Sequence, residues 1–303
     1  MAAAPAVGFR RVAILGTGLI GGSFGLAVRK HLAAARVIGW DKEPVLRQAE
    51  AAGAIHEGSA DLLRVLEGAD LIYLALPVGL AIDLLPEIAR RAVPHALVTD
   101  ACSTKVKICR VAAEYFGSVS RVSPRGGPAD GARFLGGHPM AGKEVSGITA
   151  ADAELFRGAK YALIGEADDA SDPRITNFVA LVELLGALPV WLDAGTHDWA
   201  VAIVSHLPQL LSVALAGVVR EETDETGLPM TLAGPGLREL LRLSGSPYGV
   251  WRDVVLTNTE NISRALDRLA QAIENLRMRL ASRELEDEFA AANELYKILS
   301  DLQ

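Results

Sequence analysis

The 303-residue chain carries 30 Lys and Arg against 37 Asp and Glu, a net charge of −7, with 50% hydrophobic and 22% charged residues. That composition supports a sizeable core and excludes wholesale disorder, while the acidic balance argues against a nucleic-acid binder, whose phosphate contacts need clustered Lys and Arg. Two cysteines, Cys102 and Cys109, cannot build a disulfide framework or a four-ligand zinc site, so no metal centre is expected and a reducing, cytoplasmic setting fits.

At roughly 150 residues per domain the length suggests two domains. The longest apolar stretch, residues 69–85, is broken by Asp70, Pro77 and Asp83, short of the roughly 20 apolar residues of a membrane span. The N-terminal MAAAPAVGFRR has its basic residues after its apolar ones, the reverse of a secretory signal, and reads as a short tail.

Residues 11–16 (RVAILG) read as a buried strand, followed by a glycine turn and a helix to about residue 32. Residues 35–41 (ARVIGWD) form the next strand, and residues 44–52 a helix closed by Gly53. Residues 69–77 (ADLIYLALP) read as a strand stopped by Pro77, residues 80–91 as a helix and residues 96–102 (ALVTDAC) as another strand. Strands that are apolar throughout, alternating with helices, predict a parallel sheet covered on both faces. Residues 118–137, rich in Ser, Gly, Pro and Arg, read as a surface loop or insertion. A strand end at residues 134–138 and strands at residues 160–165 and 188–193 follow, with a helix near residues 175–185. After Asp193 the period is helical, at residues 196–222, 237–243 and 251–301. The expected domains are therefore residues 1–193, a Rossmann-type doubly wound α/β sheet, and residues 194–303, all-helical.

Gly16-Thr17-Gly18-Leu19-Ile20-Gly21 fits G-x-G-x-x-G directly after a strand and before a helix. Gly16 permits the tight turn, Gly18 lets backbone approach a pyrophosphate, and Gly21 lets helix and strand pack closely. The helix N-terminus offers free N–H groups and a positive dipole end to the phosphates. Asp41, twenty residues past Gly21 at the end of the second strand, is placed to accept bonds from a ribose diol. Its charge would repel a ribose phosphate and so favours NAD over NADP, although Lys42 beside it weakens that argument. Leu19, Ile20, Leu76, Pro77 and Ser103 complete the expected cofactor contacts.

Four further segments carry polar residues without a packing reason. Asp100 to Lys105 lies at the C-terminal end of a strand, the edge where open α/β sheets bind ligands. Ser103 there reads equally as a helix N-cap. Residues 136–142 (GGHPMAG) set His138 between glycines and a proline, and a histidine is the usual proton acceptor near neutral pH, with an ordinary pKa of about 6.5. His206, in SHLP, sits in an apolar helix, where a lone histidine is more often a core residue. Arg238 and Arg242 precede Trp251. Arg238 reads as solvent-facing, whereas Arg242 reads equally as a carboxylate clamp.

Together these segments resemble the prephenate/arogenate dehydrogenase family. The matching pieces are residues 16–23 (GTGLIGGS), the DxxSxK pattern at 100–105, 136–147 (GGHPMAGKEVSG), 205–211 (SHLPQLL) and 236–251 (GLRELLRLSGSPYGVW), in the family's order. The resemblance implies conversion of prephenate to 4-hydroxyphenylpyruvate with hydride passed to NAD⁺ and loss of CO₂. It casts His138 as the proton acceptor, Ser103 beside the hydroxyl and nicotinamide, Arg242 on a substrate carboxylate, His206 and Trp251 in the pocket and Glu144 at its entrance. It also implies a homodimer formed through the helical domain, cytoplasmic tyrosine biosynthesis, and no nucleic-acid or membrane partner.

The chain departs from the family pattern in a longer stretch centred on residues 118–133, in GPGL at 234–237, and in Lys143, which stands where small polar residues are frequent and bears on substrate preference. No C-terminal regulatory domain is expected within the span to Gln303, so tyrosine feedback would act at the active site. The same enzyme acting on arogenate is the nearest alternative. A hydroxyacid dehydrogenase would place a lysine on the first helix of the second domain, but no lysine occurs between Lys160 and Lys297. A non-catalytic NAD sensor would have lost His138, Ser103 and Arg242.

Overall fold

The computed structural model describes residues 8–116, 131–143, 145–165, 169, 171–223, 225–281 and 284–301. Glu144 and most of the 118–133 stretch lie outside the described residues. Two compact units are present, Met1–Asn258 and Thr259–Gln303.

The first unit is built on an eight-stranded sheet in the order β3-β2-β1-β4-β5-β6-β7-β8. β1 (Arg11–Leu15), β4 (Leu71–Leu74) and β5 (Leu97–Asp100) are almost entirely buried runs of Val, Leu and Ile, as a sheet covered on both faces requires. β2 (Arg36–Trp40), the two-residue β3 (Glu57–Gly58) and β6 (Arg133–Pro139) pair parallel with them, giving six parallel strands. β7 (Lys160–Ile164) then pairs antiparallel with β6, and β8 (Leu188–Leu192) runs parallel to β7. The sheet is thus mixed at one edge, where the sequence suggested a purely parallel one. A run of apolar residues reports burial but not strand direction.

α1 (Leu19–His31) and α6 (Pro173–Leu184) cover one face with Phe24, Val28, Phe178 and Leu181, and the Phe24 and Tyr73 rings stack at 3.8 Å. α4 (Val78–Arg91) and α5 (Val106–Tyr115) cover the other with Leu85, Ile88, Ile108 and Ala112. α2 (Glu43–Ala51) and the one-turn α3 (Leu62–Leu66) flank the β3 edge. β3 and α3 are too short for periodicity to reveal.

After β8 every described element is helical. α7 (Ala194–Val201), a π turn (Ala202–His206) and α8 (Leu207–Glu221) form one continuous rod. Ala194–Glu221 is the one helix among the described residues long and apolar enough, by length and composition, to cross a membrane. The sequence reading placed a helix at residues 196–222 but took residues 69–85 as the longest apolar stretch. Its packed face carries the buried polar residues His197, Asp198, His206, Gln209 and Ser212. These bond to the rest of the unit, as in Gln209 Nε2 to the Leu243 carbonyl at 2.8 Å and the Ser244 amide to Ser212 Oγ at 3.0 Å. α9 (Leu228–Thr231), α10 (Pro235–Leu241), a 3-10 turn (Arg242–Gly245) and α11 (Tyr248–Thr257) complete the unit.

The second unit is a pair of helices, α12 (Thr259–Arg279) and α13 (Leu285–Asp301), joined by an Arg279–Glu288 ion pair of 2.9 Å. The helical period read over residues 251–301 is carried by three helices, with breaks after Thr257 and before Leu285.

Candidate active site

Three backbone constraints explain the glycine loop. Gly16 has φ +89° and a Cβ there would lie 2.3 Å from the Ala75 carbonyl oxygen, and a Cβ on Gly21 would lie 1.8 Å from the Gly16 carbonyl oxygen. A Cβ on Gly18 would meet nothing within 4 Å, so the loop is open on the side where a pyrophosphate would approach. The N-terminus of α1, at Leu19 and Ile20, has no side-chain cap and no acidic residue in its first turn, which leaves its N–H groups and dipole for an anion. Leu76 lies against Gly16, and Pro77 caps α4 where the chain leaves β4. Asp41 follows β2 and accepts from the Thr17 amide at 2.8 Å and the Lys42 amide at 2.7 Å. The carboxylate is thereby held at the mouth of the loop. The residues present fit a dinucleotide.

The C-terminal ends of β5 and β6 carry the second constellation. Asp100, fully buried, accepts from the Cys102 amide at 3.0 Å and the Gly137 amide at 3.1 Å. The Lys105 ammonium, equally buried, pairs with Asp100 and donates to the Gly137 carbonyl at 2.6 Å. Burial alone would lower the Lys105 pKa, but the Asp100 carboxylate, together with Cys102 and Cys109, outweighs it and leaves the group above its ordinary value. Gly137 is a glycine because a Cβ would stand 2.6 Å from the Asp100 carbonyl oxygen. The DxxSxK and GGH segments are thus two halves of one buried clasp, and the next residue along β6 is His138.

His138 is half-buried at the end of β6, and its Nδ1 lies 2.9 Å from Nε2 of His197 on α7. Burial, then the neighbouring His197, Lys105 and His206, hold its pKa well below the ordinary histidine value. This corrects the titration near 6.5 that sequence alone suggested. His206 is buried on the π turn with its ring edge-on to Trp251 at 5.9 Å and its Nδ1 3.3 Å from Asn258 Nδ2. Burial pushes its pKa down to about 4. The structure therefore brings His206 and Trp251 together, and puts His138 among ionisable groups that keep it neutral.

Ser103 is half-buried in a bend between β5 and α5. It is not the cap of α5: Lys105 occupies that position without a side-chain cap. The carboxylate of Asp198, reaching from α7, accepts from the Lys105 amide at 2.7 Å and the Val106 amide at 2.9 Å instead. Arg242 is exposed at the start of the 3-10 turn, and Arg238 is exposed on α10. Lys143 donates to the Ala150 carbonyl at 3.0 Å and lies 3.5 Å from Asp152. Burial raises both Cys102, well above its ordinary value, and Cys109, to about 12, so neither thiol is a nucleophile near neutral pH. Among the described residues no group of His, Cys, Asp and Glu is placed to hold a metal ion.

Sequence reasoning passed over His197 and Asp198. The only signal for them was the adjacent His-Asp pair at the start of the helical region, which periodicity treats as an ordinary polar step.

Residues 24–190 match the family described as prephenate dehydrogenase, nucleotide-binding domain, and residues 193–297 match prephenate dehydrogenase, dimerization domain. The chain belongs to the prephenate dehydrogenase family. A prephenate dehydrogenase of Lactococcus lactis subsp. cremoris is 30% identical over 91% of this chain and 72% of its own length. The fold is shared with the crystal structure of prephenate dehydrogenase from A. aeolicus in complex with hydroxyphenyl propionate and NAD⁺, with a TM-score of 0.84 at 24% identity, covering 98% of this chain and all (100%) of that one. Synechocystis arogenate dehydrogenase gives a TM-score of 0.75 at 25% identity, covering 97% and 100%. The family's two parts meet between residues 190 and 193, where β8 ends and α7 begins.

Proposed function

We propose that the chain is an NAD⁺-dependent prephenate dehydrogenase that converts prephenate to 4-hydroxyphenylpyruvate and CO₂ in tyrosine biosynthesis, in the cytoplasm. The observation that carries this reading is the seat of His138. It is a histidine kept neutral by burial, at the ligand-binding edge of the sheet, in a chain whose two halves both match this family. Residues 1–193 are assigned to nucleotide binding, and residues 194–303 to substrate binding and dimerisation.

Gly16, Gly18, Gly21 and the N-terminus of α1 hold the dinucleotide phosphates, Asp41 takes the adenosine ribose diol, and Leu76, Pro77 and Ser103 line the path toward the nicotinamide. Bound NAD⁺ supplies the hydride acceptor for the ring carbon that bears the hydroxyl. His138 takes the hydroxyl proton as that carbon is oxidised to a ketone. The ring carboxylate then leaves as CO₂, and its electron pair moves through the ring to the ketone oxygen. The ring becomes aromatic, and the phenolate recovers the proton from His138. Ser103 is assigned to the hydroxyl, Arg242 to a substrate carboxylate, His206 and Trp251 to the pocket wall, and Glu144 and Lys143 to its entrance.

The test is an NADH absorbance assay with prephenate and arogenate side by side, each with NAD⁺ and NADP⁺. Turnover of prephenate with NAD⁺ should exceed the other three combinations in kcat/KM, and a preference for arogenate would overturn the substrate assignment. In the same assay Asp41→Asn should narrow the preference for NAD⁺ over NADP⁺, because it removes the charge that repels a ribose phosphate while keeping the Thr17 contact.

The proposed homodimer is supported by apolar side chains that the single chain leaves exposed. On α12 these are Leu266, Ile273 and Leu276, with Leu280 just past its end, and on α13 Phe289, Leu295 and Ile298. Leu269, also on α12, is half-buried. Light scattering at micromolar concentration should give twice the 32.0 kDa chain mass. A monomer would remove the assignment.

A further inference from the structure

We infer that His197, oriented by Asp198, is a positioning residue that fixes which ring nitrogen of His138 carries the proton during the reaction. The inference rests on His138 being the base.

The donors and acceptors can be assigned one at a time. Asp198 is buried, and its two oxygens accept from the Lys105 and Val106 amides, so it acts as a carboxylate acceptor. His197 Nδ1 lies 2.8 Å from Asp198 Oδ1, and a carboxylate only accepts, so this nitrogen carries the proton. The other nitrogen of His197, Nε2, lies 2.9 Å from His138 Nδ1. That contact leaves Nε2 of His138 as the nitrogen available to substrate. A base needs a lone pair there, so the neutral His138 ring carries its proton on Nδ1 and donates it to His197 Nε2. Every donor in the chain Asp198–His197–His138 then meets an acceptor.

The same chain bears on charge. The ionisable groups around His138 are His197, His206, Lys105 with its partner Asp100, and Asp198. When Nε2 takes the substrate proton, the ring becomes cationic beside the Lys105 ammonium. Its Nδ1–H still donates to His197 Nε2, so His197 supports the same tautomer through the transfer while burial, His197, Lys105 and His206 disfavour the cation. Asp198 also caps the N-terminus of α5, which ties this support to the turn that carries Ser103.

Wild-type protein labelled with ¹⁵N in its imidazole rings should show the His138 proton on Nδ1, with the signal assigned by its loss in His138→Asn. A proton on Nε2 at neutral pH would overturn the inference without any kinetic measurement. His197→Leu should lower kcat by roughly 10- to 100-fold, the scale of a misplaced catalytic group, with KM for substrate and NAD⁺ within about twofold. His197→Gln, whose side-chain oxygen can accept from Nδ1–H, should recover part of kcat and keeps the test open if the leucine variant does not fold. In the His138→Asn background His197→Leu should add little, since the two act as one unit. Additive losses would overturn the inference. If His138→Asn alone stays active, the base assignment fails instead, and the nitrogen spectrum still reports the tautomer.

Discussion

His138→Asn should lower kcat by roughly two to four orders of magnitude, the range of a lost general base, with KM for prephenate little changed. Asparagine keeps a hydrogen-bonding side chain at the end of β6 but cannot take up a proton. The wild-type profile should lose activity on the acid side only below the ordinary histidine value of about 6.5, because burial and the neighbouring His197, Lys105 and His206 disfavour the cation. Activity should therefore be constant through neutrality and fall as pH drops through the lowered pKa of His138. In the variant that acid limb should vanish. If His138→Asn kept more than about a tenth of wild-type kcat, far short of the general-base range, His138 would not be the base. His206 would be the next candidate, although its own pKa of about 4 and its place against Trp251 suit a pocket wall better.

Lys105→Met should be the most damaging single change to stability, at about 3–5 kcal/mol, the usual cost of removing one partner from a buried ion pair. The methionine would leave the Asp100 carboxylate fully buried with only backbone amides for partners. It would also release the Gly137 carbonyl, the peptide that leads into His138. Urea denaturation followed by circular dichroism should show the loss as a lower midpoint. Adding Asp100→Asn to Lys105→Met should recover part of it, because the orphaned charge is then gone. A midpoint within experimental error of wild type would mean that water reaches Asp100, contrary to its burial.

Much of the site was legible in the sequence because it rests on residues with backbone reasons to be where they are. Gly16 and Gly21 are forced by contacts that any Cβ would violate, and Gly137 by the Asp100 carbonyl, so the glycine pattern pointed directly at the two loops. Asp41 was singled out by spacing because one helix, α1, and one strand, β2, separate it from the turn. The reversal of β7 against β6 was not legible, since Tyr161 and Leu163 are as buried as they would be in a parallel strand. His197 and Asp198 were not legible for a different reason. Their partners, His138 and the amides of Lys105 and Val106, lie 59 and 92–93 residues away in the chain. A neighbouring pair of polar residues carries no mark of contacts made at such distances. Arg242, which the sequence read equally as solvent-facing or as a clamp, is exposed at the 3-10 turn that follows α10.

The π turn at Ala202–His206 gives the rod that follows β8 two angular phases. His197 and His206 are nine positions apart, which at about 3.6 residues per turn is two and a half turns and would set them on opposite sides. A π turn absorbs one extra residue, which brings the separation to about 80°. Both imidazoles can then face inward, as their burial at 2% and 1% requires. A single extra residue thus acts as a vernier: it rotates everything beyond it relative to what comes before. The wheel drawn for α7 does not continue into α8. Two side chains that a helical projection would assign to opposite faces, one to solvent and one to the core, become neighbours of the same buried cluster.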